Sequence, residues 1–220
     1  MNDLTDEDLK AATCLGHRND VYQMMYLTPQ STPPPNLAAH YGQLLTVAGW
    51  LINPSLPLFG VDNGVFTAKF DGRRFLNYLD ALKPHQSRCL FVVAPDIVGE
   101  CHGTLAQFKE WYPRLRADGW PVAYAAQDGS ETLPLPECQA VFIGGSTEWK
   151  LGAGALEVIH AAKSRGLWIH VGRVNSRRRI RHFQLAGVNS VDGTTIAFSP
   201  DDSRRVLDAQ LFQPPLWSNL

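Results

Sequence analysis

Several polar residues in this sequence stand directly after short apolar runs, and their types suggest a shared chemistry. The polar residues are Asp62, Asp96, Gln127 and Asp192, with a glycine pair at Gly144 and Gly145. Two carboxylates at an anomeric carbon can act as nucleophile and general acid/base in a retaining glycosyl transfer. A further carboxylate, with a carboxamide and backbone N–H groups, matches the donors and acceptors of guanine. We expect Asp96, Gln127 and the glycine amides to contact such a base.

A basic segment near the C-terminus supplies the only strong candidate for binding a polyanion. Arginines stand at positions 173, 177, 178, 179 and 181, between the apolar run Trp168–Val171 and the strand candidate Val188–Val191. Ser176 suits a helix N-cap and Gly187 a helix stop, so we predict strand, helix, strand. Arg173, Arg177, Arg178 and Arg181 are candidates for holding phosphates. The alternatives are a solvated helix face for the arginines and a simple Asp-Gly turn at Asp192.

These residues need a scaffold that brings the ends of several strands together. Apolar strand candidates lie in the regions of residues 23, 59, 91, 123, 141, 169 and 190, and amphipathic helices alternate with them. This alternation predicts a compact (β/α)₈ barrel of the TIM type, in which functional side chains collect at the carboxyl ends of the strands. An eighth strand is expected near 195–198 or in the loop after Thr28. A doubly wound open sheet is the alternative, although its glycine-rich fingerprint is absent.

The remaining segments are assigned by their caps, prolines and periodicity. A peripheral helix is expected over 5–13, an extended loop over 29–35, and a helix from Asn36 to about Trp50. Further helices are expected at 72–82, 104–117, 153–165 and 203–212.

Composition places the chain among ordinary globular proteins. With 220 residues, 45% hydrophobic and 19% charged, it fits one catalytic barrel domain over 1–220. The formal net charge of -1 gives no global attraction to nucleic acid, so any polyanion site must be local. Cys14, Cys89, Cys101 and Cys138 are scattered, which favours free thiols in a cytoplasmic protein over a disulfide framework or a metal site. No apolar run suggests a membrane span.

Six short motifs, in order along the proposed barrel, resemble those of the guanine transglycosylases, which exchange guanine in nucleic acid for a 7-deazaguanine. The resemblance covers roughly residues 58–195. VDNG at 61–64 is similar to the family's DSGG, APD at 94–96 occupies the place of its guanine-reading aspartate, and AQDG at 126–129 is similar to its VQGG. FIGGSTEWKLG at 142–152, HVGRVNS at 170–176 and VDGTT at 191–195 are similar to GGLAVGE, MGVGTP and FDCVLPTR.

The resemblance implies a role for each matching residue. Asp192 would be the nucleophile and Asp62 the general acid/base of a pentosyltransferase. Asp96 and Gln127 would contact the base, and Gly144 and Gly145 would offer backbone donors. No cofactor is implied.

One departure from the family bears on the nucleic acid. Its tRNA-acting members carry a CxCxxC zinc site with a distant His, but no Cys or His follows Thr195. We therefore expect neither a metal nor the zinc-binding subdomain, and DNA is favoured over tRNA, as in the DNA-guanine transglycosylases of bacterial and phage DNA modification. The expected partners are guanine-containing DNA and a free 7-deazaguanine, such as a 7-cyano or 7-aminomethyl form. The alternative is a non-exchanging binding protein or an N-glycoside hydrolase of the same shape.

Overall fold

Eight parallel strands form a closed barrel in chain order. The computed structural model describes residues 24–29, 40–47, 52–66 and 70–193. The strands are β1 (Met25–Thr28), β2 (Tyr41–Thr46), β3 (Phe59–Asp62), β4 (Cys89–Val93), β5 (Val122–Ala126), β6 (Ala140–Ile143), β7 (Trp168–Val171) and β8 (Ser190–Asp192). β8 pairs with β1, with Leu27 opposite Asp192, and this pairing closes the ring. The predicted (β/α)₈ barrel is confirmed, and the open-sheet alternative is excluded.

Helices lie between the later strands. They are α1 (Gly72–Leu82), α2 (Cys101–Ala117), α3 (Thr147–Leu151), α4 (Ala153–Ser164) and α5 (Arg177–Ala186). Short 3₁₀ segments occupy Lys83–Arg88 and Ser130–Thr132. The predicted boundaries of α5 are confirmed, because the Ser176 side chain accepts from the N–H of Arg179 and Gly187 ends the helix with a φ of 76°.

The structure has a strand, β2, where the sequence analysis predicted a helix. A helix was expected from Asn36 to about Trp50, but Tyr41–Thr46 is a strand paired with β1 and β3. It is also the eighth strand, so neither position expected for that strand is right. A Cβ on Gly42 would lie 2.6 Å from Leu27 Cδ2 and 2.9 Å from the Leu58 carbonyl oxygen. Glycine at 42 therefore lets the strands and their side chains pack closely.

The hydrophobic core has two parts, and the part inside the barrel limits where a ligand can bind. One lies between the barrel and its helices, and the other fills the barrel interior. The interior part consists of Met25, Leu27, Leu44, Leu58, Phe91, Val93, Ala123, Ala125 and Ala140, with Leu90, Phe142 and Trp168 packed against them. Since these side chains fill the barrel, the space for a ligand lies above them, at the carboxyl ends of the strands.

Some sequence-based expectations fall on parts of the chain that the structure does not describe. The helices expected at 5–13 and 203–212 lie outside the described residues, as do Thr194 and Thr195 of the last motif. Within the described residues, no helix has both the length and the apolar character needed to cross a bilayer.

Candidate functional site

A cavity of about 360 Å³ opens at the carboxyl ends of the strands, where the barrel fold predicts a site. Its lining contains most of the residues selected from the sequence: Asp62, Asp96, Gln127, Gly144, Arg173 and Asp192. Asn63, Phe66 and Gly193 also line it, and Leu44, Val93, Ala125 and Phe142 supply apolar walls. The cavity therefore combines apolar surface with a few polar groups, which is the usual character of a small-ligand site.

Asp96 is held between two carboxamides. Asn63 Nδ2 donates to Asp96 Oδ1 at 2.7 Å, and Gln127 Nε2 donates to Asp96 Oδ2 at 2.6 Å. Asn63 Nδ2 also donates to the Ala94 carbonyl at 2.8 Å, and Gln127 Oε1 accepts from the N–H of Gly99 at 3.0 Å. These bonds fix the carboxylate across the ends of β3, β4 and β5. Asn63 was not among the predicted site residues, although it stands within the VDNG motif.

The Asp96 carboxylate keeps capacity for a ligand despite these bonds. Each carboxylate oxygen has two lone pairs, and one carboxamide occupies one on each oxygen. Burial raises the pKa of Asp96 above its ordinary value, while the hydrogen bonds from Asn63 and Gln127 and the charge of Arg173 oppose that rise. A ligand that donates two parallel N–H groups would fit the remaining lone pairs.

Asp62 has an environment that favours its protonated form. Its Oδ1 accepts from the N–H of Gly64 at 2.8 Å, in a turn where Gly64 has a φ of 77°. Burial raises the pKa of Asp62 to about 6. Repulsion from Asp192 and Asp96 adds to the rise, whereas the Gly64 hydrogen bond and Arg173 oppose it. A carboxyl group with a pKa near 6 can both donate and accept a proton near neutral pH.

Asp192, at the end of β8, has hydrogen-bond partners on one oxygen. The backbone N–H of Arg173 donates to its Oδ1 at 3.0 Å, and His170 Nε2 lies 3.1 Å from the same atom. Within the described residues both contacts go to Oδ1, so Oδ2 remains available to a ligand. Arg173 has a φ of 60°, which is unusual for a residue with a side chain.

His170 contacts Asp192, and this contact was not anticipated from the sequence. Its ring is fully buried inside the barrel, between the rings of Phe91 and Phe142, with centroid distances of 4.9 Å to each. Alternation along a strand places His170 and Asp192 on inward-facing positions of neighbouring strands. That period of two is the signal that could have identified the pair.

Gly144 and Gly145, which follow β6, are required mainly because a side chain at either position would collide with its neighbours. The N–H of Gly144 donates to the Ala126 carbonyl at 2.9 Å, so this amide is already used and cannot serve a base as expected. A Cβ on Gly144 would lie 2.7 Å from Gln127 Nε2, and one on Gly145 would lie 2.4 Å from Trp149 Cε3. Gly144 is therefore a wall of the cavity, and Gly145 lets the loop pack against Trp149. The predicted donor role of Gly145 stays a prediction.

Arg173 is the one predicted phosphate-binding residue that lines the cavity. Its Nη2 donates to the carbonyls of Gly144 and Gly145 at 3.2 and 2.9 Å. Its guanidinium carbon lies 4.2 Å from the centroid of the Phe66 ring, which is 60% exposed. The group thus stands at the cavity mouth while part of its hydrogen-bonding capacity is in use.

The other arginines lie outside the cavity. Arg177 and Arg178 are exposed in the first turn of α5, and Arg181 is half-buried one turn further on. None of the three is among the lining residues. Their contact with nucleic acid stays a prediction.

Lys150 is a buried charge next to the site that the sequence did not reveal. It lies on α3 with 4% of its surface exposed, and its Nζ donates to the Gly172 carbonyl at 2.6 Å. Burial, with the charge of Arg173, lowers the pKa of Lys150 to about 8, although Asp192 opposes the change. The bond anchors the loop that carries Arg173.

The described residues contain no group of three or more His, Cys, Asp or Glu side chains that could hold a metal ion.

Comparison with known proteins adds little to the geometry. No family model and no curated protein match the sequence. A solved structure described as native KDPGal aligns at 15% identity with a TM-score of 0.45, covering 88% of this chain and 92% of that one. A glycerophosphoryl diester phosphodiesterase from Silicibacter pomeroyi DSS-3 aligns at 14% identity with a TM-score of 0.41, covering 78% and 52%. The strand pairing itself defines the chain as a (β/α)₈ barrel.

Proposed function

We propose that this protein is a transglycosylase that exchanges guanine in nucleic acid, DNA in preference to tRNA, for a 7-deazaguanine base. The observation that carries the proposal is the meeting of Asp62, Asp96 and Asp192 in one cavity, each in a different environment. Asp96 accepts hydrogen bonds from two carboxamides, Asp62 has a pKa near 6, and Asp192 accepts hydrogen bonds through a single oxygen. Three such carboxylates match the three tasks of reading a base, moving a proton and attacking a sugar.

Recognition of guanine would rest on Asp96 and Gln127. The carboxylate oxygens of Asp96 accept from N1–H and the exocyclic amine of guanine, using the lone pairs that the carboxamides leave open. Gln127 Nε2 carries a second hydrogen beyond the one given to Asp96, and this hydrogen suits O6 or N7. A 7-deazaguanine presents the same N1–H, amine and O6, so the one pocket accepts both the leaving and the incoming base.

The chemistry is a double displacement at C1′ of the sugar. Asp192 Oδ2 attacks C1′ as the bond to guanine N9 breaks, and protonated Asp62 gives its proton to the departing base. In the second half, Asp62 takes the N9 proton of the incoming 7-deazaguanine, whose N9 attacks C1′ and releases Asp192. Two inversions retain the configuration, and the protein ends as it began.

The shape and charge of the site suit a nucleotide within a polymer. Apolar walls at Leu44, Val93 and Phe142 match the faces of a base and a sugar, and the volume lies in the usual range for small-ligand sites. Arg173, at the mouth, and Arg177, in the first turn of α5, would hold flanking phosphates, since a helix N-terminus also attracts phosphate.

We also propose a cytoplasmic location, as the sequence suggests. The described cysteines Cys89, Cys101 and Cys138 are free thiols. Free thiols are typical of a reducing compartment.

Base exchange is tested by incubating the protein with a guanine-containing DNA oligonucleotide and radiolabelled guanine. Exchange puts label into the polymer, and unlabelled 7-cyano- or 7-aminomethyl-7-deazaguanine should then displace it. A hydrolase would instead leave abasic sites, which alkali cleaves, and a binding protein would produce neither. An oligonucleotide without guanine and an unmodified tRNA are the controls. Label in the tRNA but not in the DNA would reverse the substrate preference, and no label in either would refute the exchange reaction.

A further inference from the structure

A row of polar side chains crosses the barrel interior beneath the cavity and ends at Asp192. Trp168 Nε1 donates to Ser190 Oγ at 2.9 Å, Ser190 Oγ lies 2.9 Å from His170 Nδ1, and His170 Nε2 lies 3.1 Å from Asp192 Oδ1. All four residues belong to β7 and β8, and His170 is directly opposite Ser190 in the strand pairing. The row is therefore built by the barrel itself and not by a loop.

The donor and acceptor properties of these groups determine the direction of each hydrogen bond in the row. An indole N–H can only donate, so Ser190 Oγ accepts from Trp168. The Ser190 hydroxyl has one hydrogen, and His170 Nδ1 is its only acceptor within the described residues. If Nδ1 accepts, the ring proton of His170 is on Nε2, and this N–H donates to Asp192. The opposite tautomer would leave the hydroxyl hydrogen unsatisfied and turn a nitrogen lone pair toward a carboxylate oxygen.

The surroundings restrict the orientation of the ring. His170 and Ser190 are fully buried, and the rings of Phe91 and Phe142 enclose the imidazole. A buried polar group without a partner is costly, so the ring keeps the orientation that satisfies both nitrogens. His170 and the backbone N–H of Arg173 then both donate to Asp192 Oδ1 and hold the carboxylate by that oxygen.

We propose that His170 is a positioning residue for Asp192, and that Ser190 and Trp168 fix it in the Nε2–H tautomer. The catalytic consequence rests on the proposed function, since it requires Asp192 to be the nucleophile. The tautomer does not, because it follows from hydrogen bonding alone. The two parts can therefore be tested separately.

The tautomer is tested by long-range ¹H–¹⁵N NMR of the full chain labelled with ¹⁵N-histidine. Ser190→Ala identifies the His170 signals among those of the 7 histidines, since Ser190 contacts that ring. The Nε2–H pattern is expected for His170 in the parent protein. A ring protonated at Nδ1, with or without a proton on Nε2, would overturn the assignment. This result is independent of any enzymatic activity.

The positioning role is tested by comparing His170→Gln, which keeps an N–H near Asp192, with His170→Met, which does not. Loss of a hydrogen bond to a charged group predicts a fall in kcat for base exchange of about 10- to 100-fold in His170→Met, with little change in KM. His170→Gln should recover part of this loss. The matched control is His160→Gln, exposed on α4, which should behave as the parent.

The outcomes separate the two proposals. Equal kcat in His170→Met and the parent, or an equal loss in both His170 variants, would overturn the positioning role. If His170→Met does not fold, Ser190→Ala carries the kinetic test, and a kcat equal to the parent's would overturn the role in the same way. A parent protein that shows the Nε2–H tautomer but exchanges no base would refute the proposed function and leave the tautomer assignment standing.

Discussion

Replacing Asp62 by asparagine should make the folded protein more stable at neutral pH, by an amount that depends on pH. Burial raises the pKa of Asp62 from 3.8 to about 6 in the folded protein. An unfolded chain has no such burial, so its Asp62 ionises near the ordinary value. The side-chain amide of the Asp62→Asn variant would still offer an oxygen to the N–H of Gly64, which now donates to Asp62 Oδ1.

The sign and size of the effect follow from proton linkage. Between pH 4 and 6 the folded state holds the Asp62 proton more tightly than the unfolded state, so the free energy of unfolding falls as the pH rises. Below about pH 4 the Asp62 carboxyl is protonated in both states and does not lower the free energy of unfolding. Above about pH 6 the cost is complete, and a shift of about 2 pKa units corresponds to about 3 kcal/mol. The asparagine of the variant does not titrate and escapes this cost.

The assay is urea unfolding of the parent and Asp62→Asn at several pH values from 4 to 8. The difference between their unfolding free energies cancels the titrating groups that do not interact with Asp62, and it should rise from near zero to about 3 kcal/mol in favour of the variant. Asp118→Asn, at an exposed position after α2, is the matched control and should not reproduce this profile. A difference that stays flat with pH, or a variant less stable at pH 7, would refute the reasoning. The same variant should lose base exchange.

Three further predictions concern the base, the phosphates and metal. Asp96→Ala should weaken binding of free guanine and 7-deazaguanine, measured by calorimetry, by about 1–3 kcal/mol, because a two-point contact is lost; unchanged affinity would remove Asp96 from the base pocket. Arg173→Ala with Arg177→Ala should flatten the dependence of log K for a DNA oligonucleotide on log salt by about 0.7–0.9 per lost contact. Identical slopes would favour a small nucleoside as substrate. Prolonged chelation should leave folding and exchange intact, and loss of activity restored by zinc would contradict this.

The barrel was largely predictable because its strands carry a local signal. Strands buried on both sides read as apolar runs, and seven of these runs are recognisable from the sequence alone. β2 was missed because YGQLLT has no alternation and its leucines fit a helix equally well. What makes it a strand is pairing with Tyr26 and Phe59, which are distant in sequence. Such non-local pairing leaves no mark on the segment itself.

The site was predictable as a set of positions but not as a set of bonds. Once strands are parallel, residues that follow them share one face, and this brought Asp62, Asp96 and Asp192 together. The Asn63 contact depends on the turn that follows β3, which residue types alone do not determine. Lys150 lies on a helix of five residues, and its contact with Gly172 spans 22 positions. The contact between His170 and Asp192 could have been predicted, since strand periodicity places both side chains on the inner face of neighbouring strands.

The central claim is that Asp192 forms a covalent bond with the sugar. The direct measurement is mass spectrometry of the protein after brief incubation with a guanine-containing DNA oligonucleotide, denaturing quench and digestion. The expected result is a peptide containing Asp192 whose mass has increased by that of the oligonucleotide minus guanine, and Asp192→Asn should bind the oligonucleotide but give no such species. An adduct on a different residue, or one formed by Asp192→Asn, would contradict the account.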